Sequence, residues 1–493
     1  MAGEQECVLA LDLGSSSVRT LLVSADGQVV SEARESVSWQ RPHPGWVEVD
    51  PQQLWRSQLD TIRRVTADQP STSRIAACAV TSHRETVLLW DRRTGEPVHN
   101  AIVWISTQTD EIVAGWQALG LDGEFRRRTG LRNDSFFSAA KIVWVLENVP
   151  GARARAEAGE LACGTIDSWL VWNLTGGRVH STDPSCASRT ALLNLESLAW
   201  DEELCAMLDI PVGILPAIEP SDGDFGAVDG SLPGAGTPIR AVLADQQAGM
   251  FGQACFAANS AKNTFGTAGV LTVNAGSEPR LVEGLTTSVG WATGAGVCYE
   301  LEGVVFSSGQ TLQWLRDGLQ LIVDVSEVEA LATSVASTAG VHFVPAFSGL
   351  CAPYWNRNAR ASLTGVTLET TRAHVVRAAV EAMAFLTVDI LATVKSGGVN
   401  VSDLKVDGGA AHSDFLCQFL ADVSGLAISR PRELERTALG AAYLAGIGVG
   451  MWKGQADIEA SWQAERVFDP QIGGDRRQEL YEGWTAAVQK NLA

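Results

Sequence analysis

Residues 8–14 read VLALDLG, an apolar run broken only by Asp12 and Gly14; three serines follow, then VRTLLVS, the turn Asp26-Gly27 and QVVSEARESV. Apolar stretches joined by a small-residue turn and an Asp-Gly turn predict a meander of antiparallel strands. Residues 74–82 (RIAACAVTS) are nearly all apolar and predict a strand buried on both faces, with another strand over 86–91. Helices are predicted over 138–148 and near 165–174, and the longest loop-like stretch is 220–238, PSDGDFGAVDGSLPGAGTP. Beyond it the pattern restarts. IRAVLAD (239–245) is a buried strand ending in an acid, as VLALD is, and NTFGTAGVLTVNAG (263–276) sets a small-residue turn inside an apolar β sequence. YELEGVVFSSG alternates before the helical QTLQWLRDGL; residues 372–395 form a long helical pattern, followed by strand LKVDGG and helix SDFLCQFLADVSG. The order βββ-α-β-α is thus given twice, imperfectly and without sequence likeness between the halves. It predicts an α/β chain in two domains, 1–250 and 251–493.

Composition agrees with two units. A chain of 493 residues is too long for one small core, and 46% hydrophobic residues with 16 Trp supply ample surface to bury. The formal net charge of −20 provides no general basic footprint for nucleic acid or anionic lipid. A nucleotide-binding protein of this charge must build positive potential locally, from backbone N–H groups, a metal ion or a few Arg and Lys. MAGEQEC lacks the basic and apolar regions of a secretory signal, and no apolar run reaches the roughly 18 residues of a spanning helix. Nine scattered Cys with no CxxC pair fit reduced thiols in a cytoplasm, with Cys78 and Cys255 as small core residues.

Three glycine-rich turns carry the chemical information. Asp12–Ser17 (DLGSSS) brings N–H groups and hydroxyls close to an anion, and its strand-end Asp can hold a metal through water. Thr264–Gly269 (TFGTAG) follows the same logic. At Asp407–Ala411 (DGGAA) a strand ends and a helix begins, so that a flat ring fits over the glycines. One such turn alone needs no ligand, since tight hairpins need Gly for φ; three at the ends of buried strands are harder to dismiss. GxxxxGK[ST] is absent, which excludes a Walker-type P-loop. No HExxH or GxSxG stands out. Arg84-Glu85 and Asp245-Gln246-Gln247 both follow buried strands, at the carboxyl ends where open α/β sheets place ligands. A carboxylate there can take a proton from a hydroxyl while Arg and Glu grip neighbouring hydroxyls. A surface Arg–Glu pair and a helix N-cap aspartate are the equally open alternative.

At this point the chain resembles the FGGY carbohydrate kinases, and within them the glycerol kinases. FFSAAKIVWVLEN (136–148) and ASLTGVTLETTRAHVVRAAVE (361–381) are similar to the family's two signatures. RETVLLWDRRTGEPVHNAIVW, ASRTALLNL, DQQAGMFGQACF, LCAPYW and TALGAAYLAG are similar to further family segments, in order, from about residue 8 to about residue 450. The resemblance implies two actin-like (ribonuclease-H-like) ATPase domains around an interdomain cleft, using ATP and Mg²⁺. It implies that Asp12 orients the metal, and that Ser15, Ser16 and Ser17 form the first phosphate loop. Asp245 would be the general base, beside Arg84, Glu85, Trp104, Phe136, Gln246 and Val270 in the polyol pocket. Thr267 would meet the β- and γ-phosphates; Gly309, Gln313, Gly409, Ala410 and Ser413 would frame the adenosine. Lys141 and Trp144 are expected as scaffold, and Trp46 as an apolar anchor.

Departures from the family pattern cluster around the substrate. His83 replaces a glutamine, W104-I-S-T-Q-T109 replaces W-Q-x-x-R-T, Phe136 a tyrosine and Val270 a phenylalanine. The first loop reads LGSSS for QGTTS, and Ser413 stands for an asparagine. His83 is expected to be a donor just behind the ligand rather than to touch it. The implied activity is phosphorylation of a primary hydroxyl of a small polyol, glycerol first. Another three- to five-carbon polyol or sugar, or a non-catalytic nucleotide-binding regulator, are the alternatives; a dimer or tetramer is left open.

Overall fold

The computed structural model describes residues 5–70 and 73–492. Strands β1 (Gln5–Leu13), β2 (Ser17–Ser24) and β3 (Val29–Ser36) form the predicted meander, and Gly27 takes φ +78° at its Asp-Gly turn. Helix α1 (Pro51–Ala67) starts where Asp50 accepts from the Gln52 N–H and Pro51 presets the first turn. Its apolar face, with Leu54, Ile62 and Val65, closes one side of the sheet. Strand β4 (Ser73–Ser82) then runs parallel to β1. Helix α2 (Ser138–Asn148) belongs to a cap that also holds a small antiparallel sheet of residues 48–49, 87–91, 101–102 and 161–165. Strand β5 (Ile239–Ala244) adds parallel to β4, completing the order β5-β4-β1-β2-β3, and α3 (Asp245–Gly252) leaves its end. The stretch 220–238 holds no strand or helix, only an isolated bridge from Ala227 to Pro238.

The second half repeats the arrangement. Strands β6 (Ala261–Phe265), β7 (Gly269–Gly276), β8 (Thr286–Thr293) and β9 (Gly296–Val305) pair antiparallel, and α4 (Gly309–Asp317) follows. The long α5 (Arg372–Ser396) leads to β10 (Leu404–Asp407), α6 (Asp414–Ser424), β11 (Ile428–Pro431), α7 (Arg436–Gly448) and β12 (Ala464–Phe468). The sheet order is β8-β9-β7-β6-β10-β11-β12. Without its edge strands β8 and β12, this is the first sheet again: β9-β7-β6 is the antiparallel meander, and β10 and β11 add in parallel, as β4 and β5 do. Repetition thus lies in topology, where the sequence pattern put it.

The halves share structure. Helix α7 belongs by sequence to the second half, yet Ala438, Ala441 and Ala445 pack with Ala77, Ala79 and Ala241 of the first sheet. All nine cysteines are free and buried. Among the described residues, no helix is long and apolar enough to cross a membrane.

Candidate active site

Two cavities lie end to end along the cleft. The first, of about 170 Å³, takes Arg84, Glu85, Trp104, Phe136, Asp245 and Gln246 from the first half. The second half contributes the β6–β7 turn, Val270 and Val304. The second cavity, of about 340 Å³, is lined by Thr267, Gly309, Gln313, Gly409 and Ala410, with apolar Leu312 and Val325. Gly266 and Thr267 line both. The β6–β7 turn is therefore a wall common to the two spaces. Its close fit needs glycine: a Cβ on Gly309 would lie 2.7 Å from the Gly266 carbonyl oxygen.

The charged residues are more buried than a surface pair allows. Arg84 and Glu85 are 7% and 2% exposed, which removes the surface reading. Asp245 is the first residue of α3, with Ala244 at the cap, and its side chain accepts from the Gln246 N–H rather than closing the helix end. The Arg84 Nε lies 3.1 Å from Asp245 Oδ1, and its Nη1 donates to Glu302 Oε2 at 2.5 Å. Burial works against the Arg84 charge, but Glu302, Glu85 and Asp245 hold its pKa above the ordinary value. Burial likewise raises Glu85 against the pull of Arg189 and Arg84. For Asp12, burial and then the nearby Asp245 charge push the pKa to about 7, opposed by Arg19. Asp12 itself lines neither cavity; it lies behind the first, close enough to Asp245 for the two negative charges to repel. Among the described residues no cluster of three or more His, Cys, Asp and Glu could hold a metal unaided.

Not every predicted residue reaches the cleft. Ser15 does, its Oγ accepting from Trp104 Nε1 at 3.0 Å. Ser16 is exposed, and Ser17 accepts from Arg34, because successive side chains of a tight turn diverge. Ser413 lines neither cavity: it caps α6, accepting from the Leu416 N–H, and donates to Glu329. Trp46 lies against Trp144 and His43, away from the pocket. His83, expected behind the ligand, reaches the cavity wall. Its Nδ1 bonds the Leu13 carbonyl at 2.9 Å, and burial lowers its pKa. In the neutral ring Nδ1 is then the donor, and Nε2, buried and unpartnered, carries the lone pair.

Lys141 is scaffold, as expected. Its ammonium group, fully buried, donates to the carbonyls of Ser135, Phe136 and Phe137 at 2.7, 2.6 and 2.9 Å. That clasp sets Phe136 edge-on to Trp104, with ring centres 5.6 Å apart. Lys141→Met leaves those carbonyls unpaired at about 1–3 kcal/mol each. We expect a loss of several kcal/mol in urea unfolding, and an unchanged midpoint would refute the clasp.

Sequence reasoning missed Arg189, Lys262, Glu300 and Glu302, all buried. Lys262 donates to Gln246 Oε1 and Thr264 Oγ1, holding the base of the β6–β7 turn against α3. Glu300 accepts from Gln247 and Ser288, and burial followed by the Glu302 charge raises its pKa to about 7. The available signal was two acids two residues apart inside YELEGVV; their alternation resembles a wet face.

The chain matches the models of the FGGY family of carbohydrate kinases, N-terminal domain over residues 7–252 and C-terminal domain over 261–449. It is 47% identical to a glycerol kinase of Dechloromonas aromatica over 488 residues, 98% of this chain and 97% of that one. It is 46% identical to a glycerol kinase of Symbiobacterium thermophilum, covering 98% of each chain. The crystal structure of Plasmodium falciparum glycerol kinase with ADP superposes with a TM-score of 0.94 at 32% identity, covering 100% of this chain and 99% of that one.

Proposed function

We propose that this chain, which belongs to the FGGY family of carbohydrate kinases, transfers the γ-phosphoryl group of ATP to a primary hydroxyl of glycerol. One observation carries the reading of the site: a single turn, Gly266–Thr267, borders both the small charged cavity and the larger, more apolar one. The polyol belongs in the first, where Arg84 and Glu85 grip its hydroxyls beside Trp104, Phe136 and Gln246. Adenosine belongs in the second, against Gly309, Gln313, Gly409 and Ala410. Asp245 takes the proton of the attacking hydroxyl; the oxygen bonds to the γ-phosphorus as the bond to the β,γ-bridging oxygen breaks, releasing ADP and the phosphorylated polyol. Thr267 and the N–H groups of both loops meet the charge that develops on the phosphoryl oxygens. Asp12 and Asp245 would hold Mg²⁺, which would supply charge neutralisation at the transferring phosphoryl group. Nine buried, free cysteines support the cytoplasm as its place of work.

The test is a coupled ADP-release assay over a panel of polyols and sugars. Turnover with glycerol at ordinary efficiency supports the assignment. No turnover with any member would leave the regulatory reading standing.

The pocket wall favours a second substrate reading. Phe136 has no hydroxyl to donate, and Val270 packs with Val304 and Cys351 where the family has an aromatic ring. A missing hydrogen bond of about 1–3 kcal/mol corresponds to roughly tenfold or more in affinity. We therefore expect wild type to use four- or five-carbon polyols at least as well as glycerol. Phe136→Tyr with Val270→Phe should raise kcat/KM for glycerol about tenfold. Ordinary wild-type glycerol efficiency, unmoved by the double substitution, would refute this pocket argument.

A further inference from the structure

Beneath the acceptor cavity, four fully buried side chains from both halves close a ring. Arg84 Nη1 donates to Glu302 Oε2 at 2.5 Å, and the other oxygen of Glu302 lies 2.8 Å from Arg189 Nη2. Arg189 Nε donates to Glu85 Oε1 at 2.6 Å, and that oxygen lies 3.8 Å from Arg84 Nε. Their side chains are 0–5% exposed. Two positive and two negative charges cancel within the ring. Charges this buried are costly unless paired, so each depends on the others for its orientation.

We propose that Arg189 and Glu302 are positioning residues for acceptor binding: they hold Arg84 and Glu85 in the geometry that grips the substrate hydroxyls. The inference rests on the reading of Arg84 and Glu85 given above and extends it to residues that line no part of the acceptor cavity except through them. Three features distinguish the ring from a bolt between domains. First, Glu302 and Asp245 take the Nη1 and Nε of Arg84, leaving Nη2 as the edge not engaged by the described residues. Second, Glu85 sits at φ +62°, a left-handed conformation that disfavours any residue with a Cβ. Such a backbone persists only where its surroundings over-determine it, and here Arg189 holds the Glu85 carboxylate while Ser138 Oγ donates to its carbonyl at 3.0 Å. Third, Arg189 also lies over the Phe137 ring, 5.3 Å from its centre, next to Phe136 of the cavity wall. Charge, strained backbone and aromatic wall therefore meet at one pair of residues.

The experiment measures KM for glycerol, KM for ATP and kcat in Glu302→Gln, Arg189→Met, Arg189→Lys and the Glu302→Gln/Arg189→Met double variant. We expect Glu302→Gln and Arg189→Met to raise the acceptor KM by about tenfold or more, with the ATP KM held within about twofold. Arg189→Lys should recover part of the loss. The double variant should be no worse than the poorer single one, since both remove parts of one interaction. A merely structural ring would lower the melting temperature and the active fraction, and so kcat, with both KM values unmoved; that result, or equal changes in both KM values, overturns the proposal. If Glu302→Gln fails to fold, Arg189→Lys decides by the same split. Absence of glycerol turnover in wild type would instead remove the substrate reading, and the same split is then read with the best acceptor of the panel.

Discussion

Asp245→Asn should lower kcat by a factor of about 10² to 10⁴ while leaving the fold and nucleotide binding close to wild type, the usual cost of losing a general base. Asparagine keeps the shape and the acceptor oxygen that bonds the Gln246 N–H at 2.7 Å, so the start of α3 is preserved. Arg84 loses one of its three carboxylate neighbours but retains Glu302 and Glu85. The Asp245 side chain is only 23% exposed and lies against Arg84, so a modest rise in acceptor KM should accompany the fall in kcat. The measurement is steady-state kinetics with a melting curve on the same preparation. More than a tenth of wild-type activity would remove Asp245 as the base, and loss of folding would make it structural.

Gly440→Ala should produce the largest loss of stability of any single methyl addition discussed. A Cβ there would lie 1.8 Å from the Ala248 carbonyl oxygen and 2.7 Å from the Gly252 nitrogen; the reciprocal Cβ on Gly252 would lie 2.2 Å from the Arg436 carbonyl oxygen. These are backbone atoms and cannot rotate away. Overpacking typically costs about 1–3 kcal/mol, and a clash between two helix backbones belongs at or above the top of that range. Helix α3 carries Asp245 at its first turn, so any displacement reaches the cleft as well. Gly448, at the end of α7, is the control: its added Cβ would meet nothing nearer than 3.6 Å, and alanine gains up to about 1 kcal/mol of helix propensity. Equal melting temperatures for the two variants would show that the α3–α7 contact is soft.

Much of the architecture is legible in the chain because the relevant signals are local. A strand such as RIAACAVTS declares burial on both faces by composition, and an Asp-Gly pair declares a hairpin by its φ requirement, so both meanders and the strand ends at Asp12 and Asp245 follow from short windows of sequence. Resemblance, not spacing, led from those strand ends to a cleft. The small-residue run TALGAAYLAG is also visible, but what it is for is not: its glycine at 440 admits α3, whose residues lie almost 200 positions earlier.

What only the tertiary structure decided is which neighbours in sequence remain neighbours at the site. Ser15 faces the cavity while Ser16 and Ser17 do not, because a tight turn points consecutive side chains in different directions. Ser413 is drawn off to cap α6 and bond Glu329. His83 carries its lone pair on Nε2 because the Leu13 carbonyl claims its other nitrogen, a contact that exists only once β1 and β4 lie side by side. Most of all, the alternation in YELEGVV reads as one wet face, yet Glu300 and Glu302 are 0% and 1% exposed. The Glu302 charge is tolerable there because Arg84 arrives from 218 residues away and Arg189 from the far side of the cleft, whereas Glu300, with only Gln247 and Ser288 as partners, has its pKa raised. A sequence displays the charge it must bury, but the partner that makes burial affordable is brought by the fold, since Coulomb attraction depends on distance in space and not on separation along the chain.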